Sequence, residues 1–590
     1  MEVVEVTKER LRFASKGFTS IMVTFFIALP VLLIFSMMSG NSKFDPSLFF
    51  LGVDEAQNAT AALEYKPASF KRTIAPLFIG GHVSKDEFFE PTLMRNDDLL
   101  NATSSHSNGE KSGSFQSTRT ADNLLLDGLI PFGFDESSCL SRYHSVRYRR
   151  ISPHKPSPFL LAKLRNYEKL HARCGPNTES YNKTLKGLTE SHTSIPTVCK
   201  YVIWRPVNGL GNRMISIVSS FLYAILTNRV LLVYNGTDMA NLFCEPFPST
   251  SWLLPRDFPL RNQLHKSEMK YSHTSEGIQD KDRINKLIES APTPLFLHLA
   301  LKKRDYLDKK FFFCDQGQAF LRKVPWLVLS SEQYFAPSFF LMPSFQKEVS
   351  RMFLNKETVF HHLGRYLFSP SNQVWEQLIT KFYDAYLVKA DEKIGLQIRV
   401  FRANAKMLQI TMDKVLACTL KAKLIPEVDT AASNSKSRKS SKAIVVTSLR
   451  SEFYNNLSNM YLDKPTVTGE VVSVYQPSHE GYQHRGDNMH NMKAWAEIYL
   501  LSLCDVLVTS PWSTFGYVAQ GLGGLKPWIL QQPENGMYQA CKQAMSMEPC
   551  FHYPSRYDCK SENKIDVGSL VPYIRKCEDR ESGVKLFNDH

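Results

Sequence analysis

The stretch KYVIWRPVNGLGNRMISIVSSFLYAILTNRVLLVY, from Lys200 to Tyr234, contains a strand, a glycine turn, an amphipathic helix and a second strand. Lys200 to Trp204 is a short apolar run of strand length. Asn208 to Arg213 is the turn. Met214, Ile217, Val218, Phe221, Leu222 and Ile225 then recur at helical spacing, and Val230 to Tyr234 is the next strand. A β-α-β unit of this kind predicts parallel strands. A second block repeats the logic. Lys393 to Val400 and Ala443 to Ser448 read as strands, Asn491 to Cys504 as a helix, and Asp505 to Ser510 as a strand. After the turn Pro511-Trp512-Ser513-Thr514 comes a short helix from Phe515 to Gly521. Two separated α/β blocks predict two Rossmann-like lobes facing a cleft.

Working outward, Phe18 to Met38 is uncharged and apolar. At ~1.5 Å per residue it reaches across a ~30 Å hydrocarbon layer. Lys8, Arg10, Arg12 and Lys16 precede it, so the positive-inside rule leaves residues 1–17 as a cytosolic tail and the rest on the lumenal side. Residues 39–120, polar and rich in Ser, Asn, Gly and Thr near the end, read as a flexible stem. The lobes are then expected at 121–388 and 389–577, with 578–590 as a tail. Sequons at Asn58, Asn101, Asn182 and Asn456 fit a lumenal body; the one at Asn235 closes a predicted core strand. Four of the eleven cysteines, Cys541, Cys550, Cys559 and Cys577, crowd the C-terminus and read as disulfide staples; the odd total leaves one thiol over.

The 590 residues are 43% hydrophobic and 22% charged, which excludes wholesale disorder, and the net charge of +14 favours anionic partners. A nucleic-acid role is not expected, because the membrane segment removes the body from that compartment and the basic residues form no recognisable module.

Several constellations suit an anionic ligand. After the strand ending at Ser510, Ser513 and Thr514 open a helix whose free N–H groups and positive end attract a phosphate; simple capping by the same hydroxyls is the bland alternative. Arg399, near the end of an apolar strand, needs an anion: a structural carboxylate or a diphosphate. Gly209 and Gly211 permit close backbone approach, although Met214 breaks a full dinucleotide fingerprint. The loop from Tyr475 to His484, with His479, is dense in hydrogen-bonding groups suited to a base or sugar. Glu497, flanked by apolar residues, reads as a core-facing carboxylate for a ribose hydroxyl or a cation. Asp280-Lys281-Asp282 carries basic neighbours and reads as a surface loop, so no metal site is expected.

Taken together, the chain resembles the plant fucosyltransferase family typified by xyloglucan α-1,2-fucosyltransferase (glycosyltransferase family 37). The matching blocks include GFDESSCLSRYHS, SPHKPSPFL, NGLGNRM, LFCEPFPSTSWLLP, VFHHLGRYLFSPSNQVW, IGLQIRVF and the run from Ser478 to Gly524. The resemblance implies a GT-B fold, a Golgi type II membrane enzyme, and inverting, metal-independent transfer of fucose from GDP-fucose to a galactose hydroxyl of a cell-wall polymer. An arabinogalactan acceptor, or a catalytically silent glycan- or nucleotide-binding homologue, stays open, as does a homodimer. It further implies that Arg399 binds the diphosphate, that Ser510, Ser513, Thr514 and Phe515 wrap it, and that Gly209, Gly211, Asn212 and Arg213 line the cleft from the other lobe. His479 and Glu497 complete the donor set. The sequence departs from the family pattern at Tyr234-Asn235 and at His298–Cys314, where an acceptor-side carboxylate is expected; Asp305 is the candidate base there, with Asp308 beside it.

Overall fold

Strand β1 (Tyr201–Arg205) is buried on both faces over its first four residues, which its unbroken Tyr-Val-Ile-Trp run requires of a central parallel strand. Helix α2 (Leu210–Thr227) follows β1 directly, and Asn228 ends it in the left-handed conformation at φ 49°, so that the chain turns back into β2 (Val230–Val233). With β3 (Phe296–Ala300) and β4 (Trp326–Ser330) these strands form a parallel sheet in the order β2-β1-β4-β3. Helix α1 (Pro158–Cys174), capped by the Ser157 hydroxyl, packs on the same sheet. The computed structural model describes residues 125–189, 199–265, 293–303, 305–401, 404–429, 440–531, 539–555, 559 and 565–588.

The second sheet has six strands: β5 (Glu392–Gln397), β6 (Ser441–Thr447), β7 (Val471–Tyr475), β8 (Val506–Thr509), β9 (Trp528–Leu530) and β10 (Cys541–Gln543). Their order is β10-β9-β8-β5-β6-β7, parallel except for the edge strand β10. From β5 the chain winds through helix α4 (Ala405–Lys421), β6 and β7 to one side and through β8 and β9 to the other. The topological switch point therefore lies between β5 and β8, where open α/β sheets hold their ligands.

Two helices join the sheets. Helix α5 (Asn488–Ser502) brings Trp495 against Phe243 of the first half, with ring centroids 5.3 Å apart, and Tyr499 against Trp375 at 5.7 Å. Helix α6 (Thr514–Gly523) packs on α2 and on α3 (Val359–Leu367). One hydrophobic cluster consequently runs through both halves. The same burial explains α2: it is the one described helix long and apolar enough to cross a bilayer, and 83% of that segment is buried as core. The expected membrane segment, the stem, Asn58, Asn101 and Asp280–Asp282 lie outside the described residues.

Two expectations are corrected. The strand expected over 393–400 ends at Gln397, so Arg399 sits beyond the sheet edge. The expected tail from 578 is folded: β11 (Ile574–Lys576) and β12 (Val584–Leu586) form a hairpin whose Ile574, Val584 and Leu586 join the shared core, with Tyr573 on Phe340 of the first half. All four C-terminal cysteines are bridged, as staples should be: Cys550 pairs with Cys577, Cys559 reaches Cys314 and Cys541 reaches Cys418, while Cys139–Cys244 and Cys174–Cys199 staple the first half and Cys504 is the buried free thiol. Adjacency in sequence does not set pairing, because a bridge needs Cα atoms within about 7 Å in the folded chain.

Candidate functional site

A cavity of about 320 Å³ opens at the switch point of the second sheet. Its floor comes from Gln397 to Phe401 after β5 and Thr447 to Arg450 after β6. Gly209 to Asn212 close it from the first half, Thr514 and Phe515 from the start of α6, and Ser478, Glu480 to Gln483 and Glu497 from the loop before α5 and from that helix.

The N-termini of α2 and α6 meet at this cavity. A Cβ on Gly211 would lie 2.7 Å from the Thr514 carbonyl carbon and 2.8 Å from the Phe515 nitrogen, so glycine is required for the two helices to approach. The Thr514 hydroxyl donates to Asn212 Oδ1 at 3.1 Å, and Asn212 Nδ2 donates to the Glu332 carbonyl at 3.1 Å. Two helix entrances thus turn their free N–H groups and positive dipole ends toward one space.

Arg399 supplies the formal charge. Its backbone N–H donates to Ser510 Oγ at 2.8 Å, which ties the residue after β5 to the residue after β8 across the switch point. Its guanidinium has no hydrogen-bond or ion-pair partner among the described residues; it lies over the Phe401 ring at 4.8 Å and lines the cavity. The side chain reaches solvent, yet the surrounding protein lowers its pKa below the usual arginine value. The structural carboxylate weighed from sequence is therefore not there. Arg450, not singled out from sequence, lines the same cavity with its guanidinium equally unpartnered among the described residues.

Two carboxylates differ sharply in environment. Glu497 is buried, accepts the Ser478 hydroxyl at 2.5 Å, and is pushed up to about 7 by desolvation. Glu480 accepts His490 Nδ1 at 3.0 Å and the Lys493 ammonium, and these bonds hold it below the usual carboxylate range.

Of the residues proposed from sequence, Gly209, Gly211, Asn212, Arg399, Glu497, Thr514 and Phe515 line the cavity. Arg213, Ser510, Ser513, His479 and Asp305 do not. Arg213 pairs with Asp238 at 2.7 Å. Ser510 acts one step back, on the Arg399 backbone. The Ser513 hydroxyl makes no capping bond: it is buried and unpartnered next to the α6 entrance. His479 is exposed, with its ring 5.7 Å from Tyr454. Asp305 stands before the helix Tyr306–Phe312, and Asp308 accepts the Ala300 N–H at 2.8 Å, so the segment expected to bring an acceptor carboxylate presents none to the cavity. Asn182 and Asn456 are exposed on helices, whereas Asn235 is half-buried with its Oδ1 unpartnered. The residues missed from sequence, Thr447 to Arg450, follow an ordinary buried strand; only the order of strands reveals that this edge faces the site.

Residues 98–560 match the xyloglucan fucosyltransferase family model. The chain belongs to this family. A galactoside 2-alpha-L-fucosyltransferase from Arabidopsis thaliana is 54% identical over 474 residues, covering 80% of this chain and 84% of the relative. The enzyme of that name from Pisum sativum is 51% identical over 486 residues, covering 82% and 85%. Among solved structures, a mutant of Arabidopsis thaliana FUT1 in complex with GDP superposes with a TM-score of 0.71 at 52% identity, covering 79% of this chain and all of that one. That GDP complex shows that a fold this similar accepts a guanosine diphosphate.

Proposed function

We propose that this chain transfers L-fucose from GDP-fucose to a galactose hydroxyl, forming an α-1,2 linkage with inversion and without a metal, on a cell-wall polysaccharide such as xyloglucan. The observation that carries this reading is the Arg399 guanidinium, unpaired among the described residues, which lines the switch-point cavity together with the N-termini of two helices. The relatives' names supply the sugar and the linkage, and the GDP complex supports the nucleotide.

The donor's diphosphate would lie between Arg399 and the α6 entrance, where Thr514 and Phe515 line the cavity. Breaking the fucose–phosphate bond builds positive charge on the sugar and negative charge on GDP; fixed cationic and N–H donors stabilise the latter without reorganising, in the role a divalent ion plays elsewhere. Glu497, which lines the cavity, would accept a ribose hydroxyl. The acceptor hydroxyl, oriented by the cleft, then bonds to the anomeric carbon from the opposite face as the bond to GDP breaks, and its proton is lost to water. Since Asp305 lies off the cavity, leaving-group stabilisation carries the rate in this reading and no step is routed through it.

The architecture reads as a GT-B arrangement. Phe18 to Met38 would anchor it as a type II Golgi protein with a lumenal body, and five disulfides among the described residues suit that oxidising compartment. The test is to incubate the purified full-length chain with labelled GDP-fucose and an array of plant glycans, with and without chelator. Chelator-resistant transfer to galactose-terminated xyloglucan is expected. GDP binding with no transfer to any glycan would overturn the enzymatic reading, and transfer only to arabinogalactan would move the acceptor.

A further inference from the structure

The residue that turns the chain from β8 into α6 is Trp512, and it is held in the left-handed region at φ 58°. A bulky side chain there is strained by roughly 1–3 kcal/mol and persists only where its surroundings over-determine it. Those surroundings come from the far C-terminus. Asp579 Oδ2 accepts the Trp512 backbone N–H at 2.8 Å, and the Asp579 carbonyl accepts the Trp512 indole N–H. The same Oδ2 accepts the Tyr517 hydroxyl, one turn into α6, at 2.5 Å. Arg580 lies over the Trp512 ring at 5.4 Å. Asp579 is itself anchored two residues beyond Cys577, which is bridged to Cys550.

One carboxylate therefore grips both the strained turn and the helix it launches. The turn has cavity-facing consequences on each side. Before it, Ser510 holds the Arg399 backbone; after it, Thr514 touches Asn212 across the seam between the halves. Rotating Trp512 out of its left-handed conformation would displace the α6 entrance relative to Arg399.

We propose that Asp579 is a positioning residue for the donor diphosphate: by locking Trp512 it aims the N-terminus of α6 and the Ser510-supported Arg399 at the same anion. This rests on the GDP-fucose reading above. It assigns a role in donor binding to a segment whose sequence has the look of a C-terminal tail.

The experiment measures GDP affinity by calorimetry, the KM for GDP-fucose, the KM for the glycan acceptor, and Tm, for wild type, Asp579→Ala, Asp579→Asn, Trp512→Gly and the double variant Trp512→Gly with Asp579→Ala. Asp579→Ala should weaken GDP binding roughly ten- to hundredfold, the scale of losing hydrogen bonds to a charged group. The donor KM should rise in step and the acceptor KM should stay unchanged. Asp579→Asn keeps the shape and one acceptor oxygen, so it should fall between the two, and it carries the test if the alanine variant does not fold. Glycine tolerates positive φ, so Asp579→Ala should cost less GDP affinity in a Trp512→Gly background than in wild type. A purely structural role would lower Tm or the active fraction and leave GDP affinity intact. That outcome, with wild type binding GDP normally, overturns this proposal alone; a wild-type chain that binds no GDP overturns the donor reading and this proposal with it.

Discussion

The two helix entrances at the cavity share a plan and differ in how their polar groups are used. Each follows a parallel strand, each begins a buried helix, and each points its N-terminus at the same space. At the α2 entrance almost everything polar is already engaged: Arg213 with Asp238, Asn212 with the Glu332 carbonyl and Thr514, and Gly211 spent on close contact. Around the α6 entrance the groups are left waiting, with the Ser513 hydroxyl buried and unpartnered and the Arg399 guanidinium unpaired among the described residues. The α2 entrance uses its polar groups to hold the two halves together, whereas in the proposed donor reading the α6 side keeps Arg399 open to an incoming anion.

The largest contrast should come from the two arginines. Arg399→Ala is expected to lower GDP-fucose turnover about a hundred- to a thousandfold, the scale of losing one preorganised charge-stabilising donor. Arg213→Ala should leave the donor KM unchanged and destabilise the fold by about 1–2 kcal/mol through its lost, largely buried ion pair. Turnover assays and denaturant titrations on both variants decide the matter; equal kinetic damage would erase the distinction.

Next is Gly211→Ala. Its methyl group would meet backbone of the facing helix, so overpacking should cost about 1–3 kcal/mol. Thermal unfolding should register it together with a raised donor KM, because the α6 entrance is what the methyl displaces. A variant with wild-type Tm and KM would mean that the entrances do not bear on each other.

The smallest effect concerns pH. Burial lifts Glu497 from 4.5 to about 7 and Glu548 to about 8 in the folded state. Between the unfolded and folded values these two carboxyls hold more protons in the native state than in the unfolded one, so their contribution to stability falls as pH rises through this window and levels off above it. Buried His171, His362 and His552, held below the usual histidine range by desolvation, act in the opposite direction up to about pH 6.5, so the readout is the difference between melting curves of wild type and Glu497→Gln from pH 5 to 8.5, which should contain the decline. An unchanged slope in that variant would place the titration elsewhere.

The alternation of strands and helices around Lys200–Tyr234 and Lys393–Gly521 was legible from apolar periodicity, because burial on both faces of a parallel strand and on one side of a helix is written into local residue order. Arg399 and the Ser513–Thr514 turn were legible as chemistry in search of an anion, because a cation at a strand end and a hydroxyl at a helix entrance each have few satisfying partners. Other features were not. Nothing local in Thr447–Arg450 shows that β6 ends beside β5, and nothing in the composition of 578–588 shows a hairpin packed on the first half of the chain. Arg213 and Arg399 look equivalent until Asp238 is found beside one of them.

The sequence by itself determined the family, the two α/β blocks and the residue types able to hold a diphosphate, since these follow from near-neighbour spacing and side-chain chemistry. Tertiary structure alone decided which of those residues share the cavity, which cysteines pair, and that Asp579 reaches Trp512. Those are distances between remote segments, fixed only when strand order and a shared core bring the segments together.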